Sequence, residues 1–174
     1  VRYSREVKGQ LSAARSRRSV AMVRDIENAA IAQAHSLADI ESGIVVDLFL
    51  SYRALKAWDD MVRLAQTMSR PLAETTMMRE QLALALNRAG RSDEAEQTLL
   101  RLISDKGPSS ETCGILGRVY KDRWLIAVKE GRDAEARGLI RKAISAYMQG
   151  FEADWRDTYP GINAVTLMEL ADPP

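Results

Sequence analysis

Residues 116–122 read Leu-Gly-Arg-Val-Tyr-Lys-Asp, and the fold turns on what Gly117 and Tyr120 are for. Gly117 stands in a run of helix-forming residues with no turn chemistry around it. Residues three apart share a helix face. A small residue there lets a second helix approach closely, and the tyrosine fills the gap beside it. The same positions recur upstream at a fixed spacing. Tyr120, Leu86 and Tyr52 are 34 residues apart, as are Gly117, Ala83 and Phe49. Met61 and Ala95 share the spacing, and so do Met68 and Leu102.

A period of 34 residues built from paired helices is the tetratricopeptide signature, and Leu116 to Tyr120 reproduce the L-G-x-x-Y of a first helix. Each repeat is expected to be two antiparallel helices whose apolar faces are buried only by stacking on neighbours. In the second repeat, Leu82, Leu84 and Leu86 with Ala83 and Ala85 form the first helix. Asn87-Arg88-Ala89-Gly90 closes it, with Gly90 as a left-handed cap. Ser92 is the expected N-cap of the second helix, and Asp93 and Glu94 suit its positive end. Ala95, Leu99 and Leu102 make one buried stripe.

The period sets the organisation. The chain is expected to be all-α, a tetratricopeptide-like superhelix with N-terminal capping helices. Repeats fall at about 44–69, 75–106 and 109–155, with a half repeat at 159–171 inside a region spanning 41–174. In the third repeat the turn glycine is postponed to Gly131. Aligning Ala143 with Ala95 implies that roughly 14 residues lengthen both helices. Residues 1–40 show no repeat. Val7, Leu11, Ala14, Val23, Ile26, Ala30 and Ala34 give them a helical stripe that would pack on the repeats.

Composition narrows the chemistry. The chain has 174 residues, 46% hydrophobic and 28% charged, with a net charge of +1. No global field favours nucleic acid or an anionic membrane. One cysteine, Cys113, and one histidine, His35, are thin material for a metal site or a Cys–His nucleophile. No metal, no cofactor and no enzymatic activity are expected. No apolar run reaches the ~20 residues of a membrane span, no secretory signal is visible, and a cytoplasmic setting is expected. The first residue is Val1 rather than Met, so partner domains are expected outside this stretch, which ends at Pro173-Pro174.

Three motifs follow in order: Gly117-Arg118-Val119-Tyr120-Lys121-Asp122, then Tyr147-Met148-Gln149-Gly150-Phe151-Glu152, then Tyr159-Pro160-Gly161-Ile162-Asn163. Together they resemble the TRAF-binding, tetratricopeptide-like central region of the apoptosis signal-regulating kinases. The Ala- and Arg-heavy composition looks more like its bacterial branch. The resemblance implies a helical repeat region that binds proteins and regulates an attached effector. It implies structural roles for Gly117, Tyr120, Asp122, Gly150, Phe151, Tyr159, Pro160, Gly161 and Asn163. It carries over no kinase, because the glycine-rich loop, His-Arg-Asp and Asp-Phe-Gly are missing. TRAF is not carried over as partner, since a bacterial cell would lack it.

Candidate sites are few. In tetratricopeptide superhelices the first helices line the concave groove, which would bring Arg118 and Lys121 beside Asn87 and Arg88 of the previous repeat. A basic groove suits an acidic peptide, a C-terminal carboxylate or an effector domain of the same polypeptide. The plainer alternative is an Arg118–Asp122 pair on a solvated face. Met77 and Met78 are open candidates for a soft peptide surface, whereas Met61 and Met68 fall on core register. In Tyr159 to Asn163, Pro160 is expected at the first helical position, Tyr159 against the preceding helix, and Asn163 bonding across to it. Gly161 would give Phe151 or Trp155 room. The basic stretch Arg2, Arg5, Lys8, Arg15, Arg17, Arg18 and Arg24 could touch nucleic acid, but Tyr3 is its only aromatic, and a solvated helix face is favoured. An enzyme using Tyr159, Asn163, Asp122 or Glu152 would need those groups to converge on a closed pocket.

Overall fold

The computed structural model describes residues 2–171, with the side chains of Arg2 and Tyr3 left aside. Pro173 and Pro174 therefore lie outside the described residues. The elements are α1 (Arg2–Ser16), α2 (Val20–Ala34), a 3-10 turn (Leu37–Asp39), α3 (Ser42–Ala54), α4 (Trp58–Thr67), the short α5 (Arg70–Ala73), α6 (Thr76–Arg88), α7 (Ser92–Lys106), α8 (Ser110–Lys129), α9 (Asp133–Ala153) and α10 (Thr158–Leu170). Helix is the only regular structure among the described residues, as the spacing predicts. The helices fall into two packing units, Val1–Met78 and Arg79–Pro174, and the division lies within α6.

One turn is used four times. Ser19, Ala57, Arg91 and Arg132 each donate their N–H to the carbonyl five residues back, on Ala14, Tyr52, Leu86 and Ala127, at 2.8–3.0 Å. The residue before each donor has positive φ: Arg18 at 51°, Lys56 at 57°, Gly90 at 81° and Gly131 at 68°. This is the Schellman closure of a helix, which satisfies orphan carbonyls and turns the chain back into an antiparallel partner. Gly90 and Gly131 act as the sequence indicates. Lys56 is 34 residues before Gly90 and takes the same conformation without glycine. Ser92 opens α7 as its first helical residue rather than capping it. Arg91 holds the cap position, and its side chain bonds Glu94 rather than a helix N–H.

The turn at Arg18 shows what the period does not. Residues 1–40 lack the repeat residues yet form a hairpin, α1–α2, closed like the others. In the first unit α1 packs on α2 and α3, α2 packs on α3, and α3 packs on α4. Leu11, Ala14, Val23, Leu48, Phe49, Tyr52, Met61 and Leu64 are fully buried there. A polar knot ties α2, α3 and α4 across this core. Glu27, 2% exposed, accepts from the Tyr52 hydroxyl at 2.5 Å and from both guanidinium nitrogens of Arg63 at 2.7 Å. Arg24 grips Asp60 with two bonds of 3.0 and 2.8 Å, and Arg63 reaches Asp60 at 3.4 Å.

In the second unit α7 packs on α8, α8 on α9, and α10 on both α9 and α8. The helices differ in length: α8 has 20 residues against 13 in α6, and α9 has 21 against 15 in α7. The turn fixes the register differently from the sequence alignment. Ala136 follows Gly131 by the same five residues as Ala95 follows Gly90, so Ala136 rather than Ala143 is the turn-register counterpart of Ala95. Both Ala136 and Ala143 are buried.

Candidate partner-binding site

The three motifs meet at a seam of α8, α9 and α10. A methyl group placed on Gly117 would lie 2.7 Å from Cγ of Tyr147, closer than van der Waals contact allows. The α8 backbone therefore sits directly on the Tyr147 ring, which is fully buried. Gly150 does the same for α9: its added methyl would lie 3.1 Å from Cβ of Cys113, 3.3 Å from the Ser110 carbonyl and 3.4 Å from Cβ of Pro160. Gly161 opens α10 to the Phe151 ring, 2.9 Å from such a methyl. Phe151, and not Trp155, uses that room, because Trp155 is 73% exposed.

Asp157 caps α10, accepting from the Tyr159 N–H at 3.0 Å and from the Ser110 hydroxyl of α8. Pro160 is the third helical residue, not the first. It is still in the first turn, where the missing N–H costs nothing. Tyr159 meets Tyr147 edge to face, with ring centroids 6.1 Å apart, and lies over Gly114. It remains 46% exposed, so the seam fastens one side of the ring and leaves the other open.

Polar residues of α6, α8 and α10 form one network on this seam. Asp122 is its hub. It accepts from Asn87 at 2.8 Å and Arg118 at 2.9 Å, and Arg88 lies 3.9 Å away. Lys121 donates to Asn163 at 3.1 Å, while the Asn163 amide donates to the Tyr159 carbonyl at 2.9 Å. Arg118 also lies beside the Tyr159 hydroxyl. The Arg118–Asp122 pair is thus present, and it is extended across three helices. Arg88 and Arg118 face the one carboxylate of Asp122, and Lys121 adds a third cation whose partner is the neutral amide of Asn163. The Tyr147 hydroxyl is buried behind this network without a hydrogen bond of normal geometry. Burial, then the neighbouring Tyr159, pushes its pKa well above the ordinary phenol range.

Other charged and apolar residues nearby or along the chain go elsewhere. Arg123 turns towards α7, where it and the Tyr120 hydroxyl share Glu96 at 2.6 and 2.7 Å. Lys142 lies over the Tyr120 ring, 5.3 Å from its centroid. Met77 is exposed and belongs to the first unit, and Met61, Met68 and Met78 are buried. Of the basic N-terminal stretch, Arg15 donates to Ser51 at 2.6 Å, Arg24 holds Asp60 and Lys8 lies 3.8 Å from Asp47. Tyr159, Asn163 and Asp122 serve helix-to-helix bonding, and Glu152 is exposed outside the network. Among the described residues no cluster of His, Cys, Asp or Glu is arranged to hold a metal. Among the described residues no helix is long and apolar enough to cross a membrane.

Sequence reasoning did not find Asp122 as the hub or Tyr147 as the ring under Gly117. A signal for the first existed: Asn87 and Asp122 are one repeat plus one residue apart, the spacing of neighbouring first helices.

Comparison with known proteins agrees with this architecture. The profile of the Tetratricopeptide Repeats-Sensor family, TPR-S, matches residues 57–168. Mitogen-activated protein kinase kinase kinase 15 of Mus musculus is 33% identical over 137 residues, covering 74% of this chain and 10% of the kinase. Mitogen-activated protein kinase kinase kinase nsy-1 of Caenorhabditis elegans is 31% identical over 140 residues, covering 71% and 9%. Mitogen-activated protein kinase kinase kinase 5 of Homo sapiens is 28% identical over 140 residues, covering 76% and 10%. The chain spans about 10% of the length of these relatives.

Proposed function

The chain belongs to the Tetratricopeptide Repeats-Sensor family, and on that premise we propose that it is a non-catalytic interaction module regulating an effector in a larger signalling protein. Residues 41–174 supply the repeat surface, and residues 1–40 cap it. Its ligand is an acidic segment of a partner protein, or of an effector domain in the same polypeptide, lying across the first helices α6, α8 and α10. One observation carries this reading: two arginines share the one carboxylate of Asp122, and Lys121, bonded to the neutral Asn163, adds a cation that this carboxylate does not pair. A purely structural seam needs no positive surplus. Desolvated arginines favour carboxylates through paired charge-assisted bonds.

The relatives support the regulatory part of the reading, because their similarity to this chain covers a tenth of kinases whose catalytic motifs this chain lacks. The family description names a sensor, which fits a module that reports partner binding to an attached domain. A cytoplasmic setting and a bacterial source are parts of the same proposal. The test is affinity capture with the purified chain and with an Arg118→Glu, Lys121→Glu variant. The wild type is expected to retain a partner that the variant loses, with circular dichroism unchanged. Equal capture by both removes the first-helix face as the binding surface.

A further inference from the structure

The third repeat is longer than its neighbours, and repeat stacking does not need the extra length. Tyr120 occupies the place of Leu86, yet α6 stops at Arg88 while α8 runs on to Lys129. The added turns carry Trp124, Leu125, Ile126 and Val128. Leu125, Ile126 and Val128 are 50%, 51% and 51% exposed. Single exposed apolar residues are ordinary, but a cluster of them beside a cleft marks an interaction surface.

The cleft lies between the α8 extension, the first half of α9 and the end of α10, with a volume of about 500 Å³. Trp124, Val128, Ala136 and Ile140 form its apolar lining, and Arg137 and Arg141 stand beside them with one carboxylate, Asp133, a turn before Arg137. These arginines are one helical turn apart on α9, so they present two guanidinium groups in a row. Neither has an ion pair or hydrogen bond among the described residues, whereas Arg132, at the tip of the same hairpin, is held by both Glu130 and Glu135. A cleft with an apolar floor, whose two arginines outnumber the one carboxylate at its edge, constrains what fits it.

We infer that this cleft docks an amphipathic helix of a partner protein, its apolar stripe in the cleft and two carboxylates, one turn apart, on Arg137 and Arg141. The charge selects an acidic helix: its glutamates match the arginine spacing and gain bidentate bonds. A second copy of this chain is a poor occupant, because its acidic helix α7 already buries its stripe of Ala95, Leu99 and Leu102. This surface is separate from the Arg118–Lys121 face and does not rest on that reading.

The test uses the full chain and fluorescein-labelled stapled helical peptides with leucines at i, i+4 and i+7. One peptide carries flanking glutamates at i, i+4 spacing, and its counterpart carries lysines there. Fluorescence anisotropy should show saturable binding of the acidic peptide and little of the basic one. Arg137→Glu with Arg141→Glu should weaken the acidic peptide about tenfold or more and favour the basic one. Val128→Asp should weaken the acidic peptide, and both variants alter exposed residues and should keep wild-type circular dichroism. Three results would overturn the inference: equal binding of the two peptides, no saturable binding of the acidic peptide, or a wild-type dimer that the double arginine variant converts to monomer.

Discussion

Gly117 of α8 lies against the ring of Tyr147 of α9 so closely that a single methyl group on Gly117 would sit 2.7 Å from the ring carbon Cγ. The Tyr147 ring is fully buried, so turning it about Cα–Cβ only drives it into other packed groups. Gly117→Ala must push α8 and α9 apart, at a cost of about 3 kcal/mol, the upper end of ordinary overpacking. Gly138, also in α9, has open space around it, and Gly138→Ala should stabilise by about 0.5–1 kcal/mol through helix propensity alone. Urea denaturation of the two variants checks the contrast, and a neutral Gly117→Ala would mean the helices are not in this contact.

The knot around Glu27 makes a second prediction. Arg63 supplies two of the three bonds seen by that buried carboxylate, and Tyr52 supplies the third. Arg63→Ala leaves the charge with one hydroxyl donor. Breaking a buried pair costs about 3–5 kcal/mol, and the half-exposed Arg63 side chain lowers this to about 2 kcal/mol. Arg63→Ala with Glu27→Gln should recover part of the loss, measured by chemical denaturation of both variants.

Glu80 sets a pH dependence. Burial drives its carboxyl above the ordinary carboxylate range, with only the Thr112 hydroxyl opposing, at 2.6 Å. A raised pKa in the folded state gives stability that is complete below about pH 4 and lost as pH rises through the raised value. Glu80→Gln keeps the acceptor for Thr112 and removes the charge. It should raise the melting temperature at pH 7–8 by about 2–4 °C, for about 1 kcal/mol, and converge with wild type as pH falls. Asp60 behaves oppositely: hydrogen bonds from Arg24 lower its pKa, so its contribution is present above about pH 4 and lost below. Melting curves from about pH 2 to 8 separate the two.

Lys56 adopts φ of 57° where the matching turns at 90 and 131 use glycine. A side chain in this region costs about 1 kcal/mol. Lys56→Gly should gain most of that, partly offset by the greater freedom of an unfolded glycine. Calorimetry should show a rise of a few degrees at most, and no fall.

The fold was legible in the sequence wherever one residue recurs for one reason. The spacing of Tyr52, Leu86 and Tyr120 gives the helix pairs, and Gly90 and Gly131 mark two of the turns. The hairpin α1–α2 was not legible as a repeat, because Arg18 closes it without glycine and its core residues, Leu11 and Ala14, fit any amphipathic helix. The structural motifs were legible as a group but not in their contacts. Gly117 announces a close approach without naming Tyr147. The site was half legible: charge and register placed Arg118, Lys121 and Asn87 together, while Asp122 became the hub only once α6 and α8 were aligned to within one residue.

The central proposal, that α6, α8 and α10 receive an acidic partner through a positive surplus, is most directly tested by titrating the captured partner against the wild-type chain and the Arg118→Glu, Lys121→Glu variant. Charge reversal should weaken binding by about a hundredfold, and the wild-type affinity should fall with added salt. Equal affinities for a variant with wild-type helical content would contradict it.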